Sequence, residues 1–129
     1  MGTGPVKFLL DSQVLIWWFT DDDRLSPRVA RLIAEDECLV SVVSAYEIAS
    51  KVRMRKLEIA TELANKFKEI CEDAGFAFLP VTVEHALAAA NFAWAHRDPF
   101  DRLLAAQAKI EDLTIVSSDQ EVLRLAPLW

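Results

Sequence analysis

Five carboxylates fall at places where this 129-residue chain passes from one element to the next. Asp11 directly follows the apolar run Val6-Lys-Phe-Leu-Leu, and Asp119 follows a second such run, Leu113-Thr-Ile-Val-Ser117. Glu47 lies one turn into the stretch after Cys38-Leu-Val-Ser-Val-Val43, and Asp98 and Asp101 share the first turn of a stretch opened by Pro99. Carboxylates gathered at one place repel one another unless a cation lies among them. Mg²⁺ takes oxygen ligands and keeps several waters, so a few carboxylates around an open position suit a catalytic metal site. Each acid also has a plainer reading. Ser44-Ala-Tyr-Glu47 fits a capping box, Asp98 and Asp119 fit helix N-caps, and Asp101 fits the dipole of a first turn. Asp11 fits a cap for the helix after it. It is also the hardest to explain by capping alone, because an acid at the end of a buried strand is stripped of water.

The elements that must position these acids are legible from periodicity and punctuation. Val6 to Asp11 reads as a strand apolar enough to be buried on both faces. A helix covers Gln13 to Phe19, and Ser26-Pro27 caps and opens another through Val29, Leu32 and Ile33. Cys38 to Val43 is a second strand. Ser44 is expected to cap a long helix, and Thr61 a further one running to Gly75, whose lack of a side chain suits a left-handed helix end. Phe76 to Val81 is a third strand, and Thr82 caps a helix to about Ala95. Pro99 starts a helix ending near Asp112. Leu113 to Ser117 is a fourth strand, followed by a short helix, with Leu128-Trp129 available as an edge. Strands separated by helices in this way imply a three-layer α/β/α sandwich with a central, mostly parallel sheet, as one domain over residues 1–129. Ligands of such sheets bind outside the carboxyl ends of the strands, near the point where strand order reverses. All five acids are expected there.

Composition narrows the setting. A hydrophobic fraction of 53% with 26% charged residues excludes a disordered chain. The longest apolar run, Val14 to Phe19, has six residues, against the ~20 needed to span a bilayer. No charged-then-apolar leader pattern is present. Cys38 and Cys71 lack metal-site spacing and read as reduced core thiols of a cytoplasmic protein. With 14 basic and 20 acidic residues the net charge is −6, so net charge alone does not favour nucleic acid.

Four segments carry a family likeness: Phe8-Leu-Leu-Asp11-Ser12, Ser44-Ala-Tyr-Glu47-Ile48-Ala-Ser-Lys51, His96-Arg-Asp98-Pro-Phe-Asp101-Arg-Leu-Leu-Ala-Ala-Gln-Ala108, and Val116-Ser-Ser-Asp119. In order and spacing they resemble a PIN-domain nuclease, specifically a VapC-type toxin of a type II toxin–antitoxin pair. The likeness covers nearly the whole chain, and the third segment is the most specific. It implies that Asp11, Glu47, Asp101 and Asp119 form an acidic metal-binding set, with Asp98 a frequent acid just upstream. It further implies hydrolysis of RNA phosphodiester bonds with Mg²⁺ or Mn²⁺, leaving a 5′-phosphate and a 3′-hydroxyl. A homodimer is implied as well, with inhibition by an antitoxin whose tail crosses the acidic groove. Two departures stand out. Ser12-Gln13 occupies the place where many relatives have Thr-His, and Ser117-Ser118 the place where Thr with a basic residue is common. Serine keeps the hydroxyl, so Ser12 retains a hydrogen bond for the metal site and is counted among the expected substrate contacts.

An acidic protein that holds RNA needs local positive charge. Lys51, Arg53, Arg55 and Lys56 place four of the fourteen bases within six residues, and Lys51 and Arg55 share a helix face by spacing. Arg97 and Arg102 flank the other acid pair. These bases make either a phosphate track or a solvated helix end favoured by the dipole. Trp17 and Trp18 are adjacent, so both cannot face one core strip. They imply a sandwiched helix or an apolar patch for a partner. A phospho-acceptor receiver domain fits poorly, because no Asp ends the third strand and no Lys follows the fourth. The competing readings are a non-catalytic PIN-like interaction module and a DNA-directed nuclease of the same fold.

Overall fold

Lys7-Phe-Leu-Leu10 forms the strand β1, and its two leucines are fully buried on opposite sides of the sheet. The computed structural model describes residues 7–55, 58–93 and 98–118. β2 (Glu37–Ser41) and β4 (Thr114–Val116) pair with β1 on either side, and β3 (Ala77–Leu79) pairs with β2. All pairings are parallel, in the order β3-β2-β1-β4. The helices among the described residues are α1 (Ser12–Phe19), α2 (Pro27–Glu35), α3 (Val42–Arg53), α4 (Thr61–Asn65), α5 (Phe67–Asp73), α6 (Val83–Asn91) and α7 (Pro99–Ile110).

Side chains alternate across the strands, and this creates two cores. Leu10, Cys38 and Val40 pack with Leu15 and Ile16 of α1, Ile33 of α2 and Ile48 of α3. Leu9, Leu79 and Ile115 pack on the other face with Leu104 and Ala108 of α7. The result is a three-layer α/β/α sandwich. From β1 the chain builds outward through β2 and β3, then returns past β1 to lay down β4 on its far side. Strand order therefore reverses between β1 and β4, and the crevice at their carboxyl ends opens beside Asp11 and Ser117. The Asp11 amide donates to Val116 O at 3.0 Å, continuing the β1–β4 ladder one residue past the strand.

Several boundaries differ from those the sequence implied. Val42-Val43 belong to α3 rather than β2, although both are β-branched. Leu10 pairs with Val40 and Leu79 with Ser41, so beyond Ser41 no strand remains to pair with. Ser41 therefore caps α3, accepting from Val43 N at 3.1 Å, and Ser44 lies inside the helix. The helix expected from Thr61 to Gly75 is two helices, divided at Lys66, whose φ of −126° and ψ of 35° leave the helical region. Thr61 begins the first of them, with Ala60 at the cap position. α6 stops at Asn91 rather than near Ala95. The short helix after the fourth strand and the Leu128-Trp129 edge lie outside the described residues, as do Trp94 and His96.

Gly75 ends α5 at φ +86°, with open space around the position a Cβ would take. Thr82 caps α6 as expected, and His85 completes that cap by accepting from Thr82 N at 3.0 Å through Nδ1. The other ring nitrogen is thereby the protonated one, and it donates to Glu111 at 2.8 Å, tying α6 to the end of α7. Trp18 packs on the larger core, and Trp17 lies under the Arg24 guanidinium at 5.1 Å. Both tryptophans are half-buried, and Trp17 lines a surface pocket with Val14, Leu25 and Val29. No described helix is long and apolar enough to cross a membrane.

Gly75→Ala should cost about 1 kcal/mol in urea unfolding, because only backbone strain opposes it. Burial pushes the Cys38 and Cys71 thiols up to about 11, so little thiolate exists below that range. Both should be silent toward a thiol reagent at about pH 8 in native protein and react fully once guanidinium unfolds it.

Candidate active site

Asp11 is 6% exposed and has both carboxylate oxygens held. It caps α1, with Oδ1 accepting from Val14 N at 2.8 Å. Oδ2 accepts from the Ser117 hydroxyl at 2.5 Å, a bond reaching from the end of β1 to the residue just past β4. Burial raises the Asp11 carboxyl above its ordinary range, the Ser117 and Val14 donors pull it partly back, and the charge of Glu47 pushes it up again. The ionised form is thus held in place but short of positive charge.

Glu47 comes from the second turn of α3 and is 8% exposed. Its Oε1 accepts from the Ser12 hydroxyl at 2.6 Å, and its Oε2 meets Lys51 Nζ at 2.8 Å, one turn further along the helix. Ser12 and Ser44 are both buried, with their hydroxyl oxygens 3.0 Å apart. Because the Ser12 proton goes to Glu47, Ser44 donates to Ser12. The capping-box reading of Ser44 and Glu47 is therefore replaced: Ser44 backs Ser12, and Ser12 fixes Glu47. Spacing alone hid this role, since Ser44 gains it from a residue 32 positions away.

Asp98 caps α7, accepting from Phe100 N at 2.9 Å, and Asp101 follows in the first turn. The capping reading holds for Asp11 and Asp98, and both caps also face the same space. Asp11, Ser12, Gln13, Glu47, Lys51, Asp98, Asp101 and Ser118 line one open groove of about 210 Å³. The Tyr46 and Phe100 rings, 5.8 Å apart, join α3 to α7 beside it. Asp119 and Arg97 lie outside the described residues, as does Lys56.

Two of the residues expected to contact substrate sit differently from what their spacing implied. Arg102 turns away from the groove, donating to Ala89 O at 2.8 Å and Phe92 O at 2.9 Å. The last carbonyls of α6 have no amide partner within the helix, and an arginine satisfies them. Arg55 shares no helix face with Lys51, because α3 ends at Arg53 and Arg55 takes a φ of +58°. Ser12, also expected at the substrate, has its proton committed to Glu47.

No three His, Cys, Asp or Glu side chains among the described residues converge closely enough to form a ready-made metal cage. The donors nonetheless suit Mg²⁺ or Mn²⁺. They are hard oxygens in an open groove, one of them buried and short of positive charge, and Mg²⁺ is ordinarily held by one or two carboxylates with water completing its shell. Asp11, Glu47, Asp98 and Asp101 are the carboxylates that line this groove.

A family model described as PIN domain matches residues 8–127. Over 115 residues the chain is 28% identical to Ribonuclease VapC22 of Mycobacterium tuberculosis (strain ATCC 25618 / H37Rv), covering 88% of each. Among solved structures, the "Crystal structure of VapBC2 from Rickettsia felis bound to a DNA fragment from their promoter" matches with a TM-score of 0.66 and 13% identity, covering 92% of each chain. At that identity the likeness is one of fold.

Ser117→Ala removes the donor that pins Asp11 across the sheet. Mn²⁺ titrated into the folded variant should bind about 10- to 100-fold more weakly than to the parent, as for other residues that orient metal ligands. Unchanged affinity by calorimetry would separate Ser117 from the site.

Proposed function

The chain belongs to the PIN-domain family, and on that premise we propose that it is a metal-dependent endoribonuclease of the VapC type, the toxin of a toxin–antitoxin pair. One observation carries the reading: four carboxylates from three separate segments face one groove at the point where strand order reverses. The likeness to a ribonuclease over 88% of the chain supports it.

Asp11 and Asp101 are the direct ligands of a Mg²⁺ or Mn²⁺ ion in this reading, with Glu47, Asp98 and Asp119 ligating directly or through water. Held by these carboxylates, such an ion would supply Lewis-acid polarisation of a phosphate oxygen and a lowered pKa for a bound water. The chain's own residues hold the arrangement. Ser117 and the Val14 amide hold both oxygens of Asp11 and favour its ionised form against burial, and Ser12 fixes Oε1 of Glu47 so that its other oxygen faces the groove. From there Glu47 ligates, or orients the water in line with the phosphate. Asp98 sets the start of α7 and hence the position of Asp101.

Partners follow from the same reading. The substrate is RNA, met in the cytoplasm, and the antitoxin covers the groove with a basic residue directed at the carboxylates. A homodimer fits the apolar side of α6, where Val83 and Leu87 are 71% and 59% exposed. They stand beside a shallow apolar pocket of Ala86, Ala90, Pro99 and Leu103.

Antitoxin-free protein should cut total RNA into discrete fragments with Mg²⁺ or Mn²⁺, and EDTA should stop the reaction. Asp101→Asn, with its circular dichroism unchanged, should lower cleavage by about a hundredfold or more. Equal cutting of single-stranded DNA would move the reading to a general nuclease. Folded protein that cuts neither in any metal would leave an interaction module.

A further inference from the structure

The two oxygens of Glu47 are held by partners of different kinds. Oε1 is bound by Ser12, which is buried and is itself backed by Ser44, so that contact is part of the core. Oε2 is bound by Lys51, whose side chain is 42% exposed and stands on a long flexible stem. Among the described residues that line the groove, Lys51 is the one cation facing four carboxylates. Arg102 is committed to α6, and Arg55 lies past the end of α3.

We propose that Lys51 is a displaceable counter-cation: it neutralises Glu47 while no divalent ion is bound, and passes to the scissile phosphate when one enters. The inference rests on the ribonuclease reading above. A divalent ion drawn to Glu47 Oε2 and an ammonium 2.8 Å from the same atom cannot share the position, because the two cations repel strongly at such separations. The ammonium must yield, since Oε1 and its serines cannot. Its stem is anchored one helical turn from Glu47, so the displaced charge stays at the groove wall, where the incoming polyanion needs it. Lys51 thereby links two events. Glu47 is kept neutralised before the metal arrives, and positive charge is released toward substrate only after it.

This assignment demands effects of opposite sign from one substitution. In Lys51→Gln, Mn²⁺ titrated without RNA and followed by electron paramagnetic resonance should bind about tenfold more tightly, the competing charge being gone. At saturating Mn²⁺ the same variant should lose about tenfold or more in kcat/KM for RNA cleavage, while Lys51→Arg keeps most of the parental affinity and cleavage. Metal affinity that is unchanged or weaker in the folded Gln variant overturns the counter-cation. Cleavage that is undiminished at saturating metal overturns the transfer to phosphate. Should the parent bind Mn²⁺ yet cut no RNA, the ribonuclease reading fails and the transfer with it, while the metal titration still decides the counter-cation alone.

Discussion

Asp11 stands where three requirements meet, and its burial is the constraint around which the molecule is arranged. It is the first residue after the central strand, the cap of the first helix, and the anchor of a bond to the segment beyond β4. A carboxylate that has lost nearly all its water is unstable unless donors replace that water. Here the donors are an amide from the helix it caps and a hydroxyl from the opposite side of the switch point. Because the second donor lies over a hundred residues away in sequence, the acid can be satisfied only when β1 and β4 are paired. Satisfaction of the site and completion of the sheet are one event.

The same economy extends outward. Glu47 is settled by two serines that also fill the junction of α1 and α3, and Asp98 satisfies the amides at the start of α7 while facing the groove. What the hydrogen bonds do not supply is positive charge. The protein carries a net charge of −6, and its groove draws on a single described lysine. Burial leaves Asp11 reluctant to ionise, and Glu47 adds to that reluctance. A site built this way is stabilised by an added cation, and its affinity for a polyanion depends on that cation being there.

Much of this was legible without coordinates, because it depends on local rules. The capping sequences Ser26-Pro27, Thr82 and Asp98-Pro99, the terminator Gly75 and the buried strands at Leu9-Leu10 and Val40 all act over a few residues, and the structure keeps them. The acids were visible too, since residue type and position after a strand or at a helix start are properties of the chain. What escaped were choices made by distant neighbours. Val42-Val43 look like strand, but the pairing partners end first, so the cap shifts from Ser44 to Ser41. Ser44 then exchanges a capping role for a buried bond to Ser12. Arg102 looks like a base beside an acid, yet the open carbonyls of α6 claim it. His85 and His96 have no ligand spacing to each other, and the bond from His85 to Glu111 emerges only when α6 lies against α7.

The division has a physical origin. Sequence by itself determined which segments could be strand or helix, which ends could be capped, and that Asp11, Asp98 and Asp101 stood at those ends, because each depends on interactions within a turn or two of chain. Only the tertiary structure decided which hydroxyl meets which carboxylate and which cation faces the groove. Those contacts are made between residues brought together by sheet order, and a side chain with several possible partners takes the one that packing leaves within reach.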